Sequence, residues 1–391
     1  MPLVATDEPS GSAAEHREPP HPVSTGAAAK PLLGIQYLRA VGALLIVFYH
    51  MTIQIPLYTG YFNKFVLGQL HLANGVDLFF VVSGLIMMLS SRRASPGDFI
   101  VRRMIRIIPM YWILTCLLAL LVCWRPELFR TTALSWEYLL KSLAFIPYAN
   151  PAQNGQFFPL LVPGWSLNFE MFFYAVFAAT LFLPYRTRLV AMGGAFGVLL
   201  AIEAIAHSPT LGFFADLRLL EFWLGMLFAS VFRDTKLRLH PTVAAVIAAV
   251  GFVWLLVGFP RAAAAEAHVQ ILLNSVLPAA AVVFAVASLD LGERIRKISG
   301  FELLGDASYS IYLTHIFSLG IARIIWVKAG LAAGTAAAAL PLLAATFALF
   351  SCVFAVAAAV LVYKHVELPV LLRLQQAYRN RRARRLERAP A

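Results

Sequence analysis

Charge is what this 391-residue sequence has least of: Asp, Glu, Lys and Arg together make up 13% of it, while 60% is hydrophobic. An ordinary soluble domain carries about 25% charged residues, so the shortage excludes a body wetted on every face and points to lipid as the solvent. Cysteine is scarce too. The three, Cys116, Cys123 and Cys352, lie in or at the rim of apolar runs, with neither disulfide-framework nor metal-ligand spacing. They read as packing residues, and no metal site is expected. No charged, apolar, then small-residue cleavage pattern precedes residue 35, so the first apolar run is expected to serve as an uncleaved signal anchor. A fixed-period repeat is also missing, as is any separate soluble domain. Acidic residues, 20 against 32 basic ones, leave a net charge of +12. The bases fall in short connections and in a tail (Arg379, Arg381, Arg382, Arg384, Arg385, Arg388), where they set membrane orientation and touch anionic lipid; nucleic acid is not an expected partner.

What is present is apolar length. Ten runs near the roughly 20 residues that cross a hydrocarbon core fall at 35–55, 74–90, 105–123, 165–184, 189–206, 216–232, 241–259, 268–288, 303–325 and 341–363. The expected fold is all-α, a polytopic membrane helix bundle of about 10 transmembrane helices. Trp136–Tyr148, short and carrying Glu137 and Lys141, reads as an interfacial or re-entrant helix. With both termini cytoplasmic, Arg92, Arg93, Arg102, Arg103, Arg106, Arg186, Arg188, Arg233, Lys236, Arg238, Arg294, Arg296 and Lys297 all fall inside. The alternate connections hold only scattered charges such as Lys64, Arg125, Arg130, Lys141, Arg261 and Lys328. Residues 1–33, rich in Pro, Ala, Gly and Ser, read as a disordered cytoplasmic arm, 34–370 as the membrane domain, and 371–391 as a basic, solvated cytoplasmic tail.

Ionisable groups inside spans cost about 2.5–3.5 kcal/mol each on insertion scales, so each one asks for a reason. Arg39 and His50 share the first span. Eleven residues leave them about 20° apart around the helix and about 16 Å apart along it, on one face. Arg39 has snorkelling as its bland alternative, and His50 a structural role; one shared inward face favours a functional cavity, and imidazole suits proton transfer near neutrality. Asp77 opens the second span, placed to orient an imidazole or an arginine across a helix interface, or simply to favour a helix N-terminus. Ser83-Gly84 reads as a close-packing pair. Arg102, Arg103 and Arg106 form a forked patch on one helical side, suited to phosphate, whether of a ligand or of lipid. Ser166 and Glu170 are an i, i+4 pair at the outer rim, just after Trp165. Ser308, Tyr312 and His315 make one polar stripe on an apolar helix. Glu221 reads as an interfacial charge.

These residues together resemble the acyltransferase 3 family of integral membrane O-acyltransferases. Four ordered signals carry the resemblance, which spans about residues 34–370. They are Arg39 and His50 with ten residues between; Gly75-Val76-Asp77-Leu78-Phe79-Phe80 running to Ser83-Gly84; Arg103-Met104-Ile105-Arg106 with Pro109 and Tyr111-Trp112; and Ser308-Tyr309-Ser310-Ile311-Tyr312-Leu313 leading to His315. The stretches Ile35–Arg39 and Gly164–Tyr174 are most similar to the bacterial exopolysaccharide acetyltransferase branch, including the one-residue lengthening at Phe172-Phe173-Tyr174. Leu85 stands where Phe is more usual.

The resemblance implies transfer of an acyl group, acetyl for that branch, from cytoplasmic acyl-CoA to a hydroxyl of an exopolysaccharide or other envelope glycan. The acceptor would be a glycan or lipid-linked oligosaccharide, the location the bacterial inner membrane, and acetyl-CoA a co-substrate in place of any tightly bound cofactor. Arg103 and Arg106, with Arg102, would take the CoA phosphates, and the pantetheine arm would pass Arg39. His50 would act as general base or would accept the acyl group itself. Asp77, Glu170 or His315 would orient His50 or bind sugar hydroxyls near the outer opening, where Trp165, Ser166 and Tyr312 also fall. Two rivals share the intramembrane charges: a glycan-lipid transporter or flippase without chemistry, and a non-catalytic assembly or sensor protein.

Overall fold

Apolar side chains point outward as freely as inward. In a computed structural model of the chain, the 18-residue core of the helix Tyr185–Ala206 is only 11% buried although strongly apolar, and Leu120, Trp124, Val250 and Leu349 are largely exposed on other helices. Such surfaces need lipid against them. The structure describes residues 32–59, 70–91, 95–129, 132, 134–150, 155–259, 267–330 and 340–387. Nearly all of the N-terminal arm, and Lys64, Arg92, Arg93, Arg130, Arg261 and Arg388, lie outside those residues.

Fifteen α-helices are described: α1 Leu33–Thr59, α2 Gly75–Ser90, α3 Pro96–Trp124, α4 Trp136–Leu143, α5 Gly164–Ala179, α6 Tyr185–Ala206, α7 Pro209–Phe214, α8 Leu219–Asp234, α9 Pro241–Val257, α10 Ala267–Ile271, α11 Leu277–Leu291, α12 Ser299–Asp306, α13 Ser308–Lys328, α14 Leu340–Val362 and α15 Leu368–Glu387. π-Helical turns at Leu272–Val276 and Tyr363–Glu367 join α10 to α11 and α14 to α15. No strand forms among the described residues beyond one isolated bridge, Ala149 to Phe157. All ten expected spans are helical. Among the described residues, seven helical stretches are long and apolar enough to cross a membrane: Leu33–Ile55, Leu72–Ser90, Pro96–Trp124, Tyr185–Ala206, His268–Leu291, Ser308–Lys328 and Pro341–Arg384. The other three, α5, α8 and α9, stop at 16, 16 and 17 residues.

Three features fix the bundle around its polar interior. The start of α1 is capped from α11, where the Asp290 carboxylate accepts the amide N–H groups of Gly34 and Ile35 at 2.8 Å each; this satisfies two of the donors that every helix start leaves open. Next, α2 and α8 cross almost backbone to backbone. A Cβ on Gly84 would lie 1.9 Å from the Phe222 carbonyl oxygen, and one on Gly225 would lie 2.0 Å from that of Val81. Small residues allow this approach, as lipid-embedded helix pairs require. Finally, Arg188 is buried, donating to the carbonyls of Thr180, Leu181 and Leu183 and to Ser91 Oγ at 3.0–3.4 Å. It therefore closes the end of α5, a task beyond the orientation-setting expected of it.

The segment expected to be a solvated tail is helical through Glu387 and continues from α14 as one rod. Charge ended the hydropathy signal there without ending the helix, because Leu, Arg, Gln and Ala are strong helix formers.

Candidate functional site

Three cavities follow one another through the bundle. The first, about 660 Å³, lies between α3 and α15 and is lined by Arg102, Arg103 and Arg106 on one side and Gln375, Tyr378, Arg379 and Arg382 on the other. Ser95 caps α3 by accepting the Asp98 N–H at 3.2 Å, with Pro96 in the first turn. The three arginines thus sit inside a helix, two to three turns from its start, and not at a loop's edge. Arg103 and Arg106 also line the second cavity, about 130 Å³, together with Arg39, Ser83, Glu170, Tyr174, Ser308 and Tyr309. Val76 and Tyr312 are shared in turn with a third cavity of about 230 Å³, which holds His50 beside Tyr49, Phe158 and Trp165.

The middle cavity is held by buried polar pairs. Arg106 Nη1 lies 3.1 Å from Glu367 Oε1, and Ser310 Oγ donates to Glu367 Oε2 at 2.6 Å. The Arg106 guanidinium also faces the Tyr309 ring, 5.7 Å from its centroid, and Tyr309 OH donates to the Ile107 carbonyl at 2.7 Å. Arg103 sits over the rings of Phe99 and Tyr174, and its buried Nε has no hydrogen-bond partner. Across the cavity, Glu170 accepts from Ser83 Oγ at 2.9 Å and from Tyr174 OH, within electrostatic range of Arg39. The Ser308 hydroxyl on the same wall is buried without a partner.

Between the middle and far cavities stands Tyr312. Its OH donates to the Pro163 carbonyl at 2.8 Å and lies 2.7 Å from Ser166 Oγ. Beyond it the imidazoles of His50 and His315 lie 4.8 Å apart, centre to centre. His315 is fully buried, its Nδ1 2.6 Å from the Tyr312 carbonyl oxygen. A carbonyl only accepts, so Nδ1 carries the proton and Nε2 keeps a free lone pair. That Nε2 is buried with no partner. The pair can therefore pass or hold a proton at the end of the path.

The expected residues are thus distributed as follows. His50, Trp165 and Tyr312 line the far cavity, and His315 stacks behind His50. Arg39, Glu170 and Ser166 line the middle one, so Glu170 lies with the arginines and not at an outer rim beside His50. Arg102 belongs to the first cavity alone. Asp77 takes the arginine alternative: its carboxylate lies 3.5 Å from Arg218 Nε, which also belongs to an ion pair with Asp216 at 2.8 Å through Nη1. It lines none of the three cavities. Glu221, expected at an interface, is fully buried. Ser83, expected only to pack, binds Glu170, while the close packing falls to Gly84 alone. Spacing gave no sign of Glu367 or of the α15 residues. The one available signal was an acid at the end of an apolar run, just before Leu368-Pro369. Among the described residues no three His, Cys, Asp or Glu side chains group as metal ligands would.

Residues 32–364 match the family described as Acyltransferase domain. A curated relative, the exopolysaccharide production protein ExoZ of Rhizobium meliloti (strain 1021), is 38% identical over 271 residues, covering 68% of this chain and 81% of that protein. No solved structure matches.

Proposed function

The chain belongs to the membrane acyltransferase 3 family, and from that premise we propose that it moves an acetyl group from acetyl-CoA to a hydroxyl of an exopolysaccharide under construction. The relative's name supports the acceptor class. The observation that carries the reading is the row of cavities joined by shared residues, which runs from five arginines to the His50–His315 pair. A thioester whose carrier is anionic at one end and slender at the other fits such a path. In this reading the arginine end faces the cytoplasm of a bacterial inner membrane, an orientation that the basic connections support, and α5, α8 and α9 complete ten crossings.

In this mechanism Arg102, Arg103 and Arg106 hold the phosphates, and Arg39 and Glu170 flank the pantetheine arm. The acceptor enters the far cavity, whose Trp165 and Tyr49 offer flat apolar faces with polar rims to a sugar. His50 takes the proton of the acceptor hydroxyl as its oxygen attacks the thioester carbon. The C–S bond breaks, and the CoA thiolate leaves towards the arginines. His315, stacked 4.8 Å away with an Nε2 lone pair that has no other partner, steadies the imidazolium formed on His50. Holding thioester and hydroxyl together supplies the orientation on which such transfers depend.

Labelled acetyl-CoA supplied to membranes with an exopolysaccharide fraction tests the reading. Base-labile label should appear on the glycan, and His50→Ala should lower the rate by about 10²–10⁴-fold at equal protein level. Acid-quenched enzyme should carry no label; label on the protein would make His50 an acyl carrier. A glycan that moves across the membrane unlabelled would favour a transporter.

A further inference from the structure

We propose that α15 supplies half of the donor's phosphate site, with Arg379 and Arg382 facing Arg102, Arg103 and Arg106 across the first cavity. This rests on the acyl-CoA reading above and adds residues to it that lie beyond the family match, which stops at residue 364.

Positions 375, 378, 379 and 382 follow i, i+3, i+4 and i+7 spacing, so they share one face of α15, and all four line the cavity. Arg381 and Arg384 fall on other faces and do not line it. The helix is seated by a single carboxylate. Asp98 of α3 accepts from Tyr378 OH, and its other oxygen lies 3.0 Å from Arg382 Nη2. Tyr378 and Asp98 thus fix the azimuth of α15, so that Arg379 faces inward. The guanidinium of Arg379 donates to the neutral Gln376 Oε1 at 2.9 Å, and no carboxylate lies within 4 Å of Arg102, Arg103 or Arg379 among the described residues. Five guanidiniums meet two carboxylates, Asp98 at Arg382 and Glu367 at Arg106, which leaves an excess of positive charge that suits an anion. Planar forks on two facing helices suit several phosphates at different heights, as in a nucleotide bearing a diphosphate and a phosphomonoester. Each phosphomonoester brings about −1.5 to −2 charges at pH 7. Anionic lipid headgroups present the same chemistry, but this cavity shares Arg103 and Arg106 with the middle one, a continuity that a nucleotide-linked thioester would use and a headgroup would not.

The test uses the full-length protein in neutral detergent and in nanodiscs. Coenzyme A and 3′-dephospho-coenzyme A are titrated calorimetrically against wild type, Arg379→Gln and Arg382→Gln, and turnover is compared between acetyl-CoA and S-acetylpantetheine, which lacks the nucleotide. Each substitution should weaken coenzyme A binding about tenfold or more, since a charge-assisted hydrogen bond is lost. The rise in KM should be confined to acetyl-CoA. Wild-type binding that is undiminished in both variants would overturn the role of α15 and leave the acyl-CoA reading standing. Equal losses with both donors would make α15 a structural brace only. No coenzyme A binding by active wild type would remove the donor reading and this site together. Nanodiscs with phosphatidylglycerol, compared with phosphatidylcholine alone, separate the sources: arginine-dependent lipid binding that coenzyme A cannot displace would assign the cavity to headgroups.

Discussion

Glu367 holds Arg106 from a position that neither periodicity nor motif singles out. It is buried in a π-helical turn, the kind of local bulge that often re-aims one side chain. One oxygen faces Arg106 and the other accepts from Ser310. Replacing it with Gln keeps the Ser310 partner and removes the charge, so Glu367→Gln should destabilise the purified protein by about 1.5–3 kcal/mol, whereas Ser310→Ala should cost about 1 kcal/mol. Thermal melts of the two variants compare them directly; a Glu367→Gln melt no lower than that of Ser310→Ala would show that the ion pair holds nothing. The contrast with Arg39 and His50 explains what could be read in advance. Their eleven-residue spacing is a property of one helix, visible in any linear sequence. Glu367 meets Arg106 across a sequence separation of more than 250 residues, and Asp77 meets Arg218 across 141, where no local period reaches.

At the scale of helices, the tightest joint is the α2–α8 crossing. Val at Gly84 or Gly225 would push side-chain carbon into the opposing backbone, which cannot give way as a flexible side chain would. Either substitution should abolish monodisperse extraction or lower the melting temperature sharply. Gly194→Ala, where a Cβ meets open space, should be neutral or slightly stabilising by size-exclusion and melting assays. Helix existence was legible at all ten expected spans because apolar length is a strong signal. Helix ends were not. The third span begins at Pro96, well before its apolar run, because Ser95 and Pro96 start a helix regardless of hydropathy. The ninth breaks at Ala307 into α12 and α13. The last runs on to Glu387 as a polar helix resting on Asp98.

For the whole molecule, orientation is the claim that follows from charge distribution alone. In a cysteine-free background, Glu127→Cys should react with a membrane-impermeant maleimide in intact spheroplasts. Lys236→Cys should react only after the membrane is opened, since the two lie in connections of opposite charge character. Reversed labelling would place the arginine cavity on the wrong side for a cytoplasmic donor.

A row of cavities through an energised membrane has a bioenergetic consequence as well. Tyr312, hydrogen-bonded to Ser166 and the Pro163 carbonyl, stands where the middle and far spaces meet, so while no pantetheine arm fills the passage its ring narrows the way between two aqueous phases. Without its ring, water could thread from the arginines to the histidines, and the imidazoles would become stepping stones for protons. Tyr312→Ala reconstituted in liposomes should dissipate an imposed pH gradient faster than wild type, as an entrapped pH dye reports, and cells expressing it should lose membrane potential whether or not any acyl donor is present.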